Sequence, residues 1–185
     1  MFRRLLTVLS MTVVLVLSVM VAPTQAARMP SHRAWLNDTT QALSGSRAYV
    51  ARRVANTRGK LALNLDIDNT SLQSYYNRGK AVPATLRLAR YAKSRGVYIL
   101  FNTGRHISLR ESSKAQLRRA GFPVDGICAK RRGESLSHSK QQCRRHFVNV
   151  KGFRLIANIG NRRTDFIGRN YMRAYRLPNY GGRLD

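Results

Sequence analysis

The sequence predicts an α/β fold, a Rossmann-like sandwich of three layers around a central parallel sheet of about five strands. The first observation behind this prediction is that apolar segments typical of buried strands alternate with helix-like segments after residue 60. The second is that reactive polar residues follow directly after several of those apolar segments. The carboxyl ends of parallel strands lie at one edge of a sheet, so these polar residues are expected at a common site.

The five strands are predicted from runs of apolar residues, at positions 60–66, 97–101, 126–129, 153–159 and 171–177. Between them, the sequence predicts helices that begin at Pro83, near Ser108 and near residue 135. Only 32 residues separate Thr70 from Thr103, and they already include a helix and a strand. No large cap domain fits there, so the site is expected to be open.

The chain before residue 60 is predicted to form two parts. Residues 1–26 have the layout of a signal peptide, with Arg3 and Arg4, an uncharged run and small residues at the end. A membrane anchor is the alternative, because the uncharged run has 18 residues. A secreted or extracytoplasmic protein is therefore expected. Residues 27–59 are predicted to be a helical segment that packs on the core of residues 60–185, and Ser31 is predicted to cap its first helix.

The chain is strongly basic, with a formal net charge of +26. Removal of residues 1–26, which contain two Arg and no acid, leaves 26 − 2 = +24. One interpretation is an anionic partner: a phosphorylated compound, an anionic lipid or nucleic acid. The other is a general preference for Arg, which supplies 27 of the 34 basic residues and is spread along the chain. No obligate nucleic-acid partner is predicted.

Two cysteines, Cys128 and Cys143, are the whole cysteine content. In an exported protein such a pair predicts a disulfide, and two free buried thiols are the alternative. No zinc site is predicted, since no histidine cluster accompanies them.

Asp66 and Asp68 form the most distinctive pattern, because they follow an apolar run and the chain has only eight acidic residues. Alternate residues of a strand point to the same side, so both carboxylates can converge on one group. Their repulsion is relieved by a hard cation such as Mg²⁺, by a proton held on one of them, or by solvent. On this segment alone, an ordinary solvated turn is as good an interpretation as a catalytic pair.

Three further segments carry polar groups just after predicted strands. They are Thr103-Gly104-Arg105, Lys130, and the loop from Gly160 to Asp165. This ordered set resembles the haloacid-dehalogenase-like (HAD) superfamily, specifically its acid phosphatase branch with the class B and plant-type enzymes.

The resemblance implies a phosphate monoester as substrate and a role for each residue. Asp66 would be the nucleophile that forms an aspartyl-phosphate, and Asp68 the general acid and base. Thr103, Gly104, Arg105 and Lys130 would bind the phosphoryl group, with Thr103 and Lys130 also counted as catalytic.

The implied cofactor is Mg²⁺, with Asp66, Asp68, Asp165 and Asn161 as ligands. Asn161 departs from the commonest family pattern, which has an acid at this position, and so brings one charge fewer. The form Gly-Asn-Arg-x-Thr-Asp, found at 160–165, also resembles lipin-type phosphatidate phosphatases. The alternatives are therefore a lipid phosphatase acting at a membrane and a non-catalytic module that binds anions or nucleic acid on the same fold.

Overall fold

A computed structural model describes residues 29–184 of the chain. Its five strands form one sheet in the order β3-β2-β1-β4-β5, and every neighbouring pair is parallel. The strands are β1 (Lys60–Leu65), β2 (Tyr98–His106), β3 (Gly126–Lys130), β4 (Phe153–Gly160) and β5 (Arg173–Arg176). The predicted α/β fold class is confirmed.

Five helices of ten or more residues accompany the sheet within the described range. They are α1 (His32–Ala42), α2 (Ser46–Asn56), α3 (Pro83–Ser94), α4 (Arg110–Arg119) and α5 (Leu136–Arg145). Ser31 caps α1 as predicted, because its hydroxyl accepts a hydrogen bond from Ala34 N at 3.2 Å. None of the helices between residues 29 and 184 is long and apolar enough to cross a membrane. The predicted signal peptide lies outside the described residues.

The order of the strands determines where a ligand can enter. The chain runs outward from β1 through β2 to β3, and then returns to the other side of β1 with β4 and β5. The carboxyl ends of β1 and β4 therefore border the crevice at which the direction of winding changes, the usual place for a ligand in open α/β sheets. β1 is buried from Leu61 onward, as expected for the central strand.

The N-terminal helices add to one face of this sheet. α1 and α2 both contact α3. Tyr49 of α2 is buried, and its hydroxyl donates to the main-chain oxygen of Ile156 in β4 at 2.9 Å. Trp35 of α1 is fully buried in a small cluster with Val82 and Leu184.

Two strands differ in length from the prediction by more than one residue. β2 continues five residues beyond Phe101, because Thr103 and His106 pair with Ala129 and Lys130 of β3. Thr103, Gly104 and Arg105 therefore lie within the end of the strand instead of in the loop after it. β5 is shorter than predicted, because it pairs with β4 only from Arg173 to Arg176.

Candidate active site

Asp66 lies directly after β1 at the carboxyl edge of the sheet and is buried. Its main-chain N–H donates to Ile159 O of β4 at 2.9 Å, and its carbonyl accepts from Ser71 Oγ at 2.7 Å. Asn69 has a left-handed backbone with φ of 52°. Its side-chain oxygen accepts the N–H groups of Ser74 and Tyr75, each at 2.9 Å. The two carboxylates of the motif are thus held by a turn that is fixed by main-chain and side-chain hydrogen bonds.

Lys140 supplies the cation that faces Asp66. Its ammonium group donates to Oδ1 of Asp66 and, at 2.7 Å, to the main-chain oxygen of Asn102. It also forms an ion pair with Asp165, with 2.6 Å between Nζ and Oδ1. All three charged side chains are almost completely buried. We call Lys140, Asp66 and Asp165 the inner cluster. Two carboxylates share one ammonium, so the inner cluster keeps a net negative charge close to the end of β1.

This position was predicted for Lys130, and that prediction has to be corrected. Lys130 is the last residue of β3, near the edge of the sheet, where it pairs with His106. Lys140 lies ten residues later, on the face of α5 that packs against the sheet. A lysine can reach this edge of the sheet from the end of a strand or from a helix that packs on the sheet. In this protein it is Lys140 of α5 that does so.

Asp165 is held through its Oδ2 and its main-chain oxygen. Its Oδ2 accepts from Arg162 N at 2.9 Å, while its main-chain oxygen accepts from Arg144 Nη1 at 2.7 Å and Asn158 Nδ2 at 2.9 Å. Gly160 is required by this packing, because a Cβ there would lie only 2.3 Å from Asp165 Oδ2. These contacts fix Asp165 as an ion-pair partner of Lys140. Its predicted role as a metal ligand stays a prediction.

Asp68 is less buried than Asp66 and binds a different cation. Arg105 approaches it with two parallel hydrogen bonds, Nε to Oδ2 at 2.9 Å and Nη2 to Oδ1 at 2.7 Å. Ser74 Oγ also donates to Oδ1, at 2.5 Å. Arg105 is itself fixed by α4, through Ser113 Oγ at 3.1 Å and Gln116 Oε1 at 2.9 Å. We call Asp68 and Arg105 the outer pair.

Thr103 and Gly104 lie near the end of β2, directly before Arg105. Thr103 is buried, and its hydroxyl accepts from Arg105 N at 3.1 Å, which leaves its proton for another acceptor. Gly104 lies against α5, where an added Cβ would come within 2.6 Å of Leu136 Cδ1. The structure therefore brings Asp66, Asp68, Thr103, Gly104, Arg105 and Asp165 to one edge of the sheet, as predicted.

The two aspartates have pKa values shifted in opposite directions. Burial raises the pKa of Asp66 to about 6; Lys140 opposes the shift, and the charges of Asp165 and Asp68 add to it. Burial also acts to raise the pKa of Asp68, but the hydrogen bonds from Arg105 and Ser74 outweigh it, so this pKa lies below its usual value. Burial acts to lower the pKa of Lys140, and its two carboxylate partners outweigh burial, so this pKa lies above its usual value.

The oxygen atoms near Asp66 suit a hard cation. Asn161 is buried at the end of β4; its Oδ1 accepts from Thr70 Oγ1 at 3.4 Å, and its Nδ2 has no hydrogen-bond partner within residues 29–184. Carboxylate, amide and main-chain oxygens are the ligands that Mg²⁺ takes. The same range contains no cluster of three or more His, Cys, Asp or Glu side chains that could hold a metal ion. These oxygen donors therefore fit a divalent cation, and few of the side chains that would hold it carry a negative charge.

A disulfide joins Cys128 of β3 to Cys143 of α5. Cys143 lies three residues after Lys140, on the same side of the helix. The predicted bond is present, and it fastens to the sheet the helix that carries Lys140.

Lys140, Asn102 and Arg144 are the residues of this site that the sequence prediction did not include. One signal for Lys140 was available: if Cys143 faces β3, residues three and four positions away on α5 face the sheet as well. Asn102 exchanges two contacts with Lys140, since its Nδ2 also donates to Lys140 O at 2.8 Å. Nothing in the sequence distinguishes Asn102 or Arg144 from the other polar residues.

Solved structures with the same fold include the class C acid phosphatase from Bacillus anthracis. One structure of it has 18% sequence identity and a TM-score of 0.66, and the match covers 80% of this chain and 79% of that chain. A second, of the same enzyme with tungstate bound, has 17% identity and a TM-score of 0.64, with the same coverage of both chains. A comparison with curated proteins gave no match.

Residues 76–183 match the family described as HAD superfamily, subfamily IIIB (acid phosphatase). The match begins after Asp66 and Asp68, so it is independent of the motif on which the sequence prediction depended most. Phosphatases of this superfamily act on phosphate monoesters and typically use a divalent metal ion. The chain therefore belongs to the acid phosphatases of HAD subfamily IIIB, and it is a hydrolase of the phosphatase class.

Proposed function

We propose that the protein is an exported, Mg²⁺-dependent phosphomonoesterase that works through an aspartyl-phosphate on Asp66. The observation that carries this proposal is the geometry at the end of β1: Asp66 is held by Lys140, and Asp68 lies two residues away in a different electrostatic environment. Two carboxylates with separated pKa values are the usual basis for dividing nucleophile and acid–base roles.

In the first step, a carboxylate oxygen of Asp66 forms a bond to phosphorus while the bond from phosphorus to the alcohol oxygen breaks. The leaving oxygen takes a proton from Asp68. Lys140 and the hydroxyl of Thr103 would stabilise charge on the phosphoryl oxygens. In the free site Asp68 is ionised against Arg105. When the substrate arrives, Arg105 turns from Asp68 to the phosphoryl oxygens, and Asp68 takes from solvent the proton that it then donates to the leaving oxygen.

In the second step, water attacks phosphorus and Asp68 accepts its proton. The bond to Asp66 breaks and inorganic phosphate leaves, so the overall reaction consumes one water for each alcohol released. Ser74, whose hydroxyl donates to Asp68 Oδ1, fixes the orientation of the base.

Mg²⁺ is the cation that the oxygen donors favour. Asp66, Asn161 and the main-chain oxygen of Asp68 would hold it, and it would supply positive charge close to the phosphoryl oxygens. Because the Asn161 side chain carries no charge, we expect the wild-type protein to bind the metal more weakly than the variant Asn161→Asp.

Export is supported by two features. The first 26 residues have the composition of a signal peptide. The bond between Cys128 and Cys143 is of a kind that persists in oxidising compartments. The N-terminus of the mature protein, determined by mass spectrometry, tests this part of the proposal.

The catalytic proposal is tested by phosphate release from p-nitrophenyl phosphate. We expect turnover with Mg²⁺, loss of turnover with a chelator, and loss of about 10³-fold or more in Asp66→Asn, since this variant removes the nucleophile. Glu111→Gln is the matched control, because Glu111 is an exposed acid on α4. Tungstate, the ligand present in one of the related structures, is expected to inhibit.

Turnover that survives in Asp66→Asn would contradict the aspartyl-phosphate, and turnover that is indifferent to metal would contradict the proposed cofactor. The sequence Gly-Asn-Arg-x-Thr-Asp at 160–165 favours a second candidate, a phosphatidate phosphatase. Phosphatidate in mixed micelles, assayed beside soluble phosphates, distinguishes the two, because a lipid phosphatase prefers the micellar substrate.

A further inference from the structure

A cavity lies beside the outer pair, between the loop that precedes α3 and the C-terminal part of α4. It has a volume of about 620 Å³, and its lining residues are Arg78, Gly79, Lys80, Ala81, Gln116, Arg119 and Ala120. This volume accommodates a phosphate group together with part of the molecule that carries it.

The lining of the cavity is cationic. Arg78, Lys80 and Arg119 contribute three positive charges, and the lining residues include no carboxylate. Within residues 29–184, none of these three side chains forms an ion pair or a side-chain hydrogen bond. Cations that line one cavity repel one another, and a bound anion relieves that repulsion while gaining charge-assisted hydrogen bonds.

Gln116 connects the cavity to the active site. It lines the cavity, and its Oε1 accepts a hydrogen bond from Arg105 Nη1 at 2.9 Å. Arg105 in turn holds both carboxylate oxygens of Asp68. Gln116 and Arg105 therefore link the cavity to Asp68, the residue proposed to protonate the leaving group.

We propose that this cavity binds a second anionic group on the alcohol part of the substrate, so that preferred substrates are bisphosphates. The proposal rests on the proposed function, because it assigns a substrate class to the same site. The reacting phosphate occupies the inner end near Asp66, and the second phosphate extends past Arg105 towards Arg119 and Lys80. The same chemistry would admit a free phosphate ion, which the experiment has to distinguish from a substrate phosphate.

The test compares kcat/KM for glucose 1,6-bisphosphate and glucose 6-phosphate. We expect the wild-type protein to favour the bisphosphate about tenfold, since a dianionic phosphate gains charge-assisted hydrogen bonds in the cavity. In Arg119→Gln and Lys80→Gln the ratio of the two kcat/KM values falls towards one. Arg118→Gln is the matched control: it removes an exposed arginine from the same helix outside the cavity, and it keeps the wild-type ratio.

A wild-type ratio of one, with p-nitrophenyl phosphate still hydrolysed, would overturn this inference and leave the proposed function intact. An equal fall in Arg118→Gln would also overturn it, because the effect would then come from the general positive field. Inorganic phosphate that binds in an Arg119-dependent way, without any preference for the bisphosphate, would assign the cavity to a free ion and refute the substrate class.

If p-nitrophenyl phosphate is not hydrolysed at all, the proposed function fails. Calorimetric binding of glucose 1,6-bisphosphate to the wild-type protein and to Arg119→Gln then decides on the cavity alone. Binding that is equal in both would overturn the inference, and binding lost in the variant would support it.

Discussion

The inner cluster and the outer pair are built from aspartates only two residues apart, yet they differ in almost every physical respect. Asp66 is buried against a lysine delivered by α5, and it shares that lysine with Asp165. Asp68 is more exposed, and Arg105, fixed by two side chains of α4, binds it with two parallel hydrogen bonds. Different helices therefore control the two carboxylates.

The difference shows how one motif supports two chemical roles. Burial dominates at Asp66 and raises its pKa, while hydrogen bonds dominate at Asp68 and lower its pKa. A side chain that forms and breaks a bond to phosphorus needs a fixed, desolvated position. A side chain that gives and takes protons needs a partner that can leave, and a part-exposed arginine is such a partner.

Replacing Lys140 is expected to have the largest effect on this contrast. Lys140→Met leaves Asp66 and Asp165 buried together without a cation, and loss of one partner of a buried pair costs about 3–5 kcal/mol of unfolding free energy. Removal of a positive charge beside the phosphoryl group lowers kcat/KM by about 10²–10³-fold. Urea unfolding and p-nitrophenyl phosphate hydrolysis measure the two effects.

The matched control is Lys130→Met. Lys130 is at the end of β3, and the structure gives the place beside Asp66 to Lys140. We therefore expect the control to keep most of its stability and activity. A larger loss of activity in Lys130→Met than in Lys140→Met would restore the sequence-based prediction and contradict the assignment of Lys140.

Breaking the disulfide is expected to disturb the inner cluster more than the outer pair, because Cys143 and Lys140 lie on the same helix. Cys128 and Cys143 are 15 residues apart, and closing a loop of that length contributes about 3 kcal/mol in the chain-entropy model. We expect Cys128→Ala/Cys143→Ala to lose stability of this order and to have a lower kcat.

Reduced and alkylated wild-type protein is the comparison for the cysteine variant. Arg105 of the outer pair is proposed to bind the arriving phosphoryl group, and it is anchored on α4, which carries no disulfide. The KM for p-nitrophenyl phosphate should therefore change less than kcat. Unchanged melting and unchanged kcat after reduction would show that the bond does not steady Lys140.

The sequence was sufficient for the fold and for the residues at the ends of β1, β2 and β4, but not for Lys130 at the end of β3. Apolar runs locate the strands, and the parallel topology then brings Asp66, Thr103 and Asp165 to one edge without any side-chain detail. Lys140 was missed for a physical reason. A lysine on a helix is normally exposed, and only the packing of α5 on the sheet turns this one inward.

The supporting contacts could not be predicted for the same reason. Asn64 of β1 donates to Asn158 Oδ1 at 2.5 Å, and Asn158 in turn donates to the main chain of Asp165. These asparagines are buried under the site, but in the sequence they are polar interruptions of apolar strands. Which of them face each other depends on the register between β1 and β4, which pairs Asn64 with Asn158.

Replacing Arg105 is expected to change stability less than replacing Lys140 or breaking the disulfide. The size of this change should depend on pH, with a defined sign. Arg105 holds the pKa of Asp68 below its unfolded value, so the pair stabilises the fold above about pH 4, the unfolded pKa, and this contribution is lost as the pH falls through the lower folded pKa. The pair is partly exposed to solvent, so we expect Arg105→Met to lower the free energy of unfolding by only about 1 kcal/mol at pH 7.

The decrease in unfolding free energy caused by Arg105→Met should therefore shrink towards zero as urea unfolding is repeated from pH 7 down to pH 3. Arg110→Met is the control, since Arg110 pairs with the exposed Glu111 on the same helix, and it should show a smaller difference at every pH. A loss in Arg105→Met that stays constant down to pH 3 would mean that Arg105 acts by packing against α4. The outer pair would then lose its electrostatic basis, and the contrast with the inner cluster would reduce to one of burial.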